Sequence, residues 1–445
     1  MDETKGMSDR IEQFQKASRN LQLQPLLTEE ERQKFMVDYG SECIDSLEQK
    51  VLVCDENTNQ FVFAGHRGCG KSTLLCDFAQ RMEEQFFTVF FSISDLIQMK
   101  EISHINILFA IALKMMEKAE RDNVKIADDK KQAFFDWFKE RTKTETVELK
   151  GQMSAGLSLF DVIKSKLSTE QSTKEEIKTK FTQNFRDLIE TLNEIATEIK
   201  LATKLEILVI VDDLDKTDLA QIDDIFQKNL KALLQPKFII IYTVPIATIR
   251  DGKLKKYIED ETGNRIFVMP VLKLYPMGES RKPDGKPNTS AIEILQSVLT
   301  RRIDPDLFES GIEVKIALNS GGVLREVMRI TKECCDLILV KLRQQMRRKQ
   351  NIENLKIDQG ILAEALDNIR NDMKITLSKS DRQILLQTYE NYTPDDPKQQ
   401  EFLDLLHNLI AIEYRNRESW YDVHPLMVEQ LKIEGLIPPV MSSAP

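Results

Sequence analysis

A glycine-rich segment between an apolar run and a helical pattern constrains this fold more than any other feature. It reads Gly65-His66-Arg67-Gly68-Cys69-Gly70-Lys71-Ser72-Thr73 and has the spacing G-x-x-x-x-G-K-[ST]. The apolar run 61–64 before it predicts a strand, and the pattern after Thr73 predicts a helix. Glycines let an anion approach the backbone N–H groups, and the helix N-terminus adds positive potential. The segment is therefore predicted to bind phosphate.

All nine residues from 65 to 73 are predicted to contact ATP or ADP. Lys71 would place a positive charge on the β- and γ-phosphates, and the Ser72 hydroxyl would bind Mg²⁺. Cys69 stands at a position that needs only its backbone donor. This thiol is expected to make the segment sensitive to thiol reagents.

A second motif supplies the carboxylates that a magnesium–triphosphate site needs. The apolar run Ile207–Val211 predicts a buried strand, and Asp212 and Asp213 follow it directly. Asp212 is predicted to bind Mg²⁺, and Asp213 to polarise the attacking water as a general base. Asp215 is the alternative candidate for the base.

Further apolar runs alternate with helical patterns, which indicates a parallel sheet covered on both faces. They occupy 86–93, 238–242 and 266–269. The predicted fold class is α/β: a parallel-sheet P-loop NTPase core with a C-terminal helical lid and a winged-helix domain. The predicted domains are an N-terminal helical segment (1–40), the core (41–275) with a helical insertion at about 104–200, the lid (291–350) and the winged helix (357–435).

Asp212-Asp-Leu-Asp215 and the segment 65–74 resemble the STAND branch of AAA+ and related P-loop ATPases. The resemblance continues weakly through Ser320–Ile330 and the end of the predicted wing at 421–425. It implies a lid arginine, Arg325, that contacts phosphate and a histidine, His424, that contacts bound ADP. It also implies that Thr243 orients the attacking water. Arg250 and Arg265 are the two candidates for an arginine finger that acts on a neighbouring subunit.

Composition limits the other function classes. The chain has 445 residues, a net charge of −10, six cysteines and four histidines, with no apolar stretch long enough for a membrane span. We therefore expect a cytoplasmic protein with free thiols, no zinc site and no membrane partner. The acidic balance argues mildly against DNA binding, although Lys341–Lys349 and Arg415–Arg417 are basic.

Two functions compete for this motif set. The first is an ATP-hydrolysing STAND/AAA+-type switch that forms a homo-oligomer, in bacterial defence or signalling with a separate effector or sensor protein. The alternative is a DNA-binding AAA+ ATPase, such as a loader or transposition regulator, that uses its winged helix. A small-metabolite kinase agrees poorly with the sequence, because the C-terminal half resembles a switch module and no segment of it indicates a pocket for an acceptor substrate.

Overall fold

The computed structural model describes residues 2–54, 59–143, 158–282, 284–348, 355–374, 377–415 and 419–438. They form two compact units. The sheet unit comprises Glu42–Ala64 and Leu74–Val268. The helical unit comprises Met1–Ser41, Gly65–Thr73 and Met269–Pro445, so the glycine-rich segment belongs to it.

Five strands form a parallel sheet in the order β2-β3-β4-β1-β5. Their bounds are β1 Gln60–Gly65, β2 Phe86–Ser92, β3 Glu206–Asp212, β4 Ile239–Pro245 and β5 Ile266–Met269. Every strand predicted from an apolar run is present, and the P-loop type of α/β fold is confirmed. Val209 of β3 is opposite Val89 of β2 and Ile240 of β4, and all three are buried. These runs are apolar throughout because helices cover both faces.

Nineteen α-helices can be assigned among the described residues. In chain order they are α1 Asp2–Asn20, α2 Glu29–Phe35, α3 Ser41–Leu52, α4 Lys71–Met82, α5 His104–Arg121, α6 Asp128–Thr142, α7 Leu159–Thr169, α8 Gln171–Gln183, α9 Phe185–Thr203, α10 Leu219–Ile222, α11 Leu230–Leu233, α12 Gly252–Thr262, α13 Thr289–Thr300, α14 Ile312–Asn319, α15 Leu324–Arg348, α16 Gln359–Lys374, α17 Lys379–Asn391, α18 Gln400–His407 and α19 Pro425–Ile433.

The apolar stripe from Phe181 to Ile199 lies on two helices. Asn184 interrupts it with φ −137° and ψ 62°, which ends α8 before α9 begins. Phe181 packs in an aromatic cluster with Phe109 and Trp137. The apolar spacing continues past Asn184 because α8 and α9 both turn their apolar faces to the protein interior.

The helical unit is built around α15, whose apolar face is buried along its length. Helix α1 packs against α15, and Ser18 Oγ donates a hydrogen bond to Asp336 Oδ1 at 2.9 Å. Helix α2 begins at a capping box, the local pattern Thr28-x-x-Glu31, in which Thr28 and Glu31 satisfy each other's backbone N–H groups.

A two-stranded hairpin lies near the C-terminus, where the sequence predicts one. Strand β6, Ala411–Arg415, pairs antiparallel with β7, Ser419–Val423, and Pro425 begins α19. Residues 416–418, which include part of the basic segment Arg415–Arg417, lie outside the described residues. The assignment of a winged-helix domain to residues 357–435 stays a prediction.

None of the six cysteines, all of which lie among the described residues, forms a disulfide bond. Among the described helices, none combines the length and the apolar character that crossing a bilayer requires.

Candidate functional site

The glycine-rich segment, called the phosphate loop below, connects β1 to α4. Gly68 has φ +79° and Gly70 has φ +100°, values that side-chain-bearing residues rarely adopt. Lys71 is 4% exposed, and its ammonium group donates to the carbonyl oxygens of Gly65 at 3.1 Å and His66 at 2.9 Å. The loop therefore has the backbone geometry of an anion cradle, with a buried cation at its end.

The start of α15 packs directly on the phosphate loop. The backbone N–H of Arg325 donates to the carbonyl oxygen of Gly68 at 3.1 Å. A Cβ atom at Gly68 would stand 2.4 Å from the Cβ of Arg325, and one at Gly70 would stand 3.2 Å from Leu324 Cδ1. Arg325, predicted to act from the lid, is thus adjacent to the loop.

His66 connects the phosphate loop to the C-terminal hairpin. Its Nε2 accepts a hydrogen bond from the backbone N–H of Glu413 in β6 at 2.9 Å. The next hairpin residue, Tyr414, donates from its hydroxyl to the carbonyl oxygen of Gly321 at 2.7 Å, just before α15. The loop, the start of α15 and β6 therefore form one contact network inside the helical unit.

The close approach at Gly68 predicts a specific stability loss. Gly68→Ala adds backbone strain of about 1–2 kcal/mol and a steric overlap of about 1–3 kcal/mol. Gly311 is the matched control because its φ is +81° and nothing lies within 4 Å of its added Cβ. In urea unfolding we expect Gly68→Ala to lower the free energy of unfolding by about 1–3 kcal/mol more than Gly311→Ala. Equal losses would show that Arg325 does not pack tightly on the loop.

The strand end in the sheet unit gathers three buried carboxylates. Asp212, Asp213 and Asp215 each offer an oxygen, and these oxygens lie within 4.8 Å of one another. Oxygen ligands of this kind suit a hard divalent cation such as Mg²⁺. The donor set therefore fits the metal that the sequence predicts at Asp212.

Asp213 is the most constrained of the three acids. It has φ +70°, a left-handed conformation that Asp and Asn tolerate better than most residues. Its Oδ2 accepts hydrogen bonds from Ser92 Oγ at 2.6 Å and Ser94 Oγ at 3.0 Å, and lies 2.8 Å from Lys216 Nζ. Burial opposes ionisation, but Lys216 and the two hydroxyls outweigh it and lower the pKa of Asp213. The carboxylate is therefore ionised and fixed in orientation.

Thr243 of β4 forms hydrogen bonds to the backbone at the end of β3. It is fully buried, accepts from the backbone N–H of Leu214 at 3.2 Å and donates to Val211 O at 3.4 Å. This hydroxyl fixes the backbone on either side of the first two acids. Of the two candidate arginine fingers, Arg265 lies over the Phe61 ring at 5.4 Å, and Arg250 follows a short 3-10 turn after β4.

His424 is fully buried at the start of α19. Its Nδ1 accepts from the backbone N–H of Leu426 at 3.2 Å, which leaves the proton on Nε2. Burial and then the nearby charge of Arg329 lower the pKa of His424 to about 3. The imidazole thus bonds within its own helix, whereas the backbone N–H of His424 donates to the carbonyl oxygen of Ile410 at 2.9 Å. The phosphate loop carries a different histidine, His66.

The neutral His424 predicts a dependence of stability on pH. The unfolded chain binds a proton at this residue below about pH 6.5, whereas the folded chain does so only near pH 3. Stability is therefore lost as the pH falls through this window, by about 2 kcal/mol between pH 6.5 and pH 5. His424→Asn keeps a capping acceptor and should remove most of this slope in urea unfolding. An unchanged slope would contradict the buried neutral state.

Several contacts of the site were not predicted from the sequence. Ser92, Ser94 and Lys216 surround Asp213, and Glu413 reaches the loop through its backbone. Ser92 could have been found, because β2 and β3 are parallel neighbours and their register places it opposite Asp212. The contact of Glu413 could not have been predicted, because its donor is a backbone N–H and does not depend on the side chain.

Comparisons with known proteins agree with this geometry. The family profile described as "KAP family P-loop domain" matches residues 41–250. The comparison with curated proteins found no match. Among solved structures, the Walker-type ATPase PABY2304 of Pyrococcus abyssi is similar at 15% identity and TM-score 0.44, over 93% of this chain and 99% of that one. Cdc6p of Pyrobaculum aerophilum is similar at 12% identity and TM-score 0.38, over 89% and 93%. TM-scores of this size carry no functional argument.

The profile spans β1, the phosphate loop, β2, β3 with its three acids, and β4. Loop geometry, sheet order and profile thus point to the same kind of domain. The chain carries a P-loop NTPase domain similar to that of the KAP family.

Proposed function

We propose that this chain is a Mg²⁺-dependent ATPase that works as a nucleotide-driven switch and forms homo-oligomers according to its nucleotide state. The observation that carries the proposal is the contact network of the phosphate loop. Gly68 touches Arg325 of α15, and His66 accepts from Glu413 of β6. A nucleotide on the loop would therefore act on both elements directly.

The residues of the site divide the chemistry between them. Backbone N–H groups of the loop bind the phosphates, and Lys71 exchanges its carbonyl partners for phosphate oxygens. Ser72 and Asp212 would hold Mg²⁺, which supplies positive charge to the transferring phosphoryl group. Asp213, fixed by its two serines, would orient and deprotonate water, and Arg325 would add charge from α15.

The network suggests how ATP favours one conformation. Lys71 donates to the carbonyl oxygen of His66, and the imidazole of the same residue accepts from Glu413. When Lys71 turns to a phosphate, His66 loses the hydrogen bond from Lys71 and keeps those from Glu413 and from the backbone N–H of Cys69. ATP that binds one arrangement of α15 and β6 more tightly shifts the population towards it, and hydrolysis reverses the shift. An exposed surface in the ATP state would then bind a second copy, and an effector or sensor protein.

Two of the cations that a DNA-binding ATPase could use, one in each basic segment, are paired with acids. Lys341 is paired with Glu364 at 2.8 Å, and Arg415 lies 3.5 Å from Glu413. These pairings reduce the positive charge offered to a phosphate backbone. Measurements with and without duplex DNA distinguish a DNA-binding ATPase from the nucleotide-driven switch.

ATP turnover and molecular mass in solution, each with and without duplex DNA, test the proposal on the full chain. The switch predicts turnover and an ATP-dependent mass increase without DNA. Asp213→Asn should assemble with ATP and remain assembled, because it binds nucleotide without hydrolysing it. Assembly or turnover that requires DNA would favour the DNA-binding ATPase. If the chain stays a monomer under all conditions, the proposal that it forms homo-oligomers is wrong.

A further inference from the structure

A cavity of about 400 Å³ lies inside the helical unit, apart from the phosphate loop. None of its lining residues belongs to the loop, to α15 or to the acidic strand end. Its walls come from the segment after β5, the end of α14, the hairpin, and helices α16, α17 and α19. A cavity of this volume is large enough for a small organic ligand.

Aromatic rings form one part of the wall. Tyr275, Tyr389, Tyr414 and Trp420 all line the cavity. The rings of Tyr414 and Trp420 lie 4.7 Å apart at an interplanar angle of 30°. Such surfaces accept a planar ring by offset stacking, which stabilises the pair beyond simple burial.

Two arginines form another part of the wall, and both carry an unsatisfied donor. The side chains of Arg281 and Arg370 are 16% and 13% exposed. Each has a buried Nε with no hydrogen-bond partner among the described residues. Because these Nε atoms are inaccessible, a ligand can reach only the part of each guanidinium group that remains exposed, and acceptor oxygens suit that charged part.

The guanidinium of Arg281 is held in place by its surroundings. It lies 4.2 Å from the Tyr389 ring centroid and 3.7 Å from that of Tyr392, and its Nη2 is 2.7 Å from Asp422 Oδ1. A guanidinium fixed between rings and a carboxylate loses little conformational entropy when it binds an anion.

The acids of the wall already have partners. Asp422 is paired with Arg281, and Glu429 lies 3.4 Å from Lys432. Arg370 is paired with Asp367, which does not line the cavity. Each of the three cations that line the cavity is therefore paired with one carboxylate, and the anion would bind to what remains exposed of the two guanidinium groups.

We infer that this cavity binds a small organic anion that carries a planar ring. The ring would stack near Trp420, and the anionic group would accept from Arg281 and Arg370. Nucleoside monophosphates and aromatic carboxylates both have this chemistry, and the test separates them. The site is distinct from the phosphate loop and does not depend on the ATPase activity proposed above.

Trp420 can report the ligand, because the chain has only two tryptophans. The other, Trp137, stacks on Phe109 in the sheet unit, so Trp137→Phe keeps a ring there and leaves Trp420 as the single reporter. In this full-length background, fluorescence is followed while AMP, UMP or 4-hydroxyphenylacetate is added. Ribose 5-phosphate and inorganic phosphate serve as anions without a ring. We expect saturable quenching by at least one ring-bearing anion and none by the two others.

Arg370→Gln should weaken the binding that quenches Trp420 by about tenfold or more, because a charge-assisted hydrogen bond is removed. Arg186→Gln is the matched control: Arg186 is exposed and paired with Glu190. It should change affinity less than about twofold. Lys71→Ala should also leave this affinity unchanged, which separates the cavity from the phosphate loop. Circular dichroism verifies that each variant is folded.

The inference is overturned if no ring-bearing anion quenches Trp420, if folded Arg370→Gln binds as the parent does, or if Lys71→Ala abolishes the signal. If only a nucleoside monophosphate quenches Trp420, the ligand class is the nucleoside monophosphates. If only 4-hydroxyphenylacetate quenches it, the ligand class is the aromatic carboxylates. Either result supports the inference.

Discussion

Replacing Lys71 by alanine is expected to weaken ATP binding by about 100-fold or more. The ammonium group lies at the end of the phosphate loop, where Gly65 O and His66 O orient it. Each hydrogen bond from a charged donor contributes about 1.5–3 kcal/mol, and alanine removes both the donors and the charge. Titration calorimetry with ATP and Mg²⁺ measures the change directly.

Lys256→Ala is the matched control for this experiment. Lys256 is exposed and paired with Asp260 at 2.6 Å, so its removal also deletes one lysine charge. It should leave ATP affinity within about twofold of the parent. A folded Lys71→Ala variant that binds ATP as tightly as Lys256→Ala would refute the assignment of the phosphate loop.

Replacing Asp213 by asparagine is expected to lower ATP turnover by about 100- to 1,000-fold without a comparable loss of ATP affinity. Asparagine tolerates the left-handed backbone at this position and can still accept from Ser92 and Ser94. The variant therefore removes the basic carboxylate and preserves the local structure. Single-turnover kinetics with bound ATP separates the chemical step from binding.

Lys216→Met distinguishes a catalytic carboxylate from a structural ion pair. It removes the 2.8 Å partner of Asp213 and keeps the carboxylate itself. Since Lys216 lowers the pKa of Asp213, its loss should raise that pKa and move the acidic limb of the turnover profile to higher pH, with turnover retained. If Asp213→Asn retained turnover and Asp215→Asn lost it, the base would be Asp215. An unmoved acidic limb would assign Asp213 a structural role.

The parts of this protein that the sequence predicts well are those encoded by neighbouring residues. The five strands appear as apolar runs because buried parallel strands need apolar residues on both faces. The phosphate loop is visible because its glycines and Lys71 occupy fixed positions in one short segment. The capping box at Thr28 is equally local, and the structure confirms it.

Contacts between residues that are far apart in the sequence could not be predicted, because they leave no local pattern. His66 and Glu413 are 347 positions apart, and the donor is a backbone N–H that every non-proline residue carries. The segment 276–290 is rich in Pro, Gly, Lys and Ser, a composition typical of an exposed loop, yet Arg281 lies largely buried between two tyrosines. Composition describes a segment on average and does not indicate which single side chain turns inward.

The break at Asn184 shows a further limit of periodicity. The spacing of Phe181, Leu188 and Ile199 fits one helix, but the apolar face continues across two. A hydrophobic period reports which side is buried, and this side stays the same when a helix ends and another starts in register.

Hydrogen exchange with and without ATP and Mg²⁺ tests most directly whether a nucleotide on the phosphate loop acts on α15 and β6. We expect ATP to change exchange at residues 321–327 and 411–415 in the parent protein, and at neither segment in Lys71→Ala. His66→Ala should keep the change at 321–327 and lose it at 411–415. If saturating ATP binds the parent yet leaves exchange at both segments unchanged, the nucleotide does not act on α15 and β6.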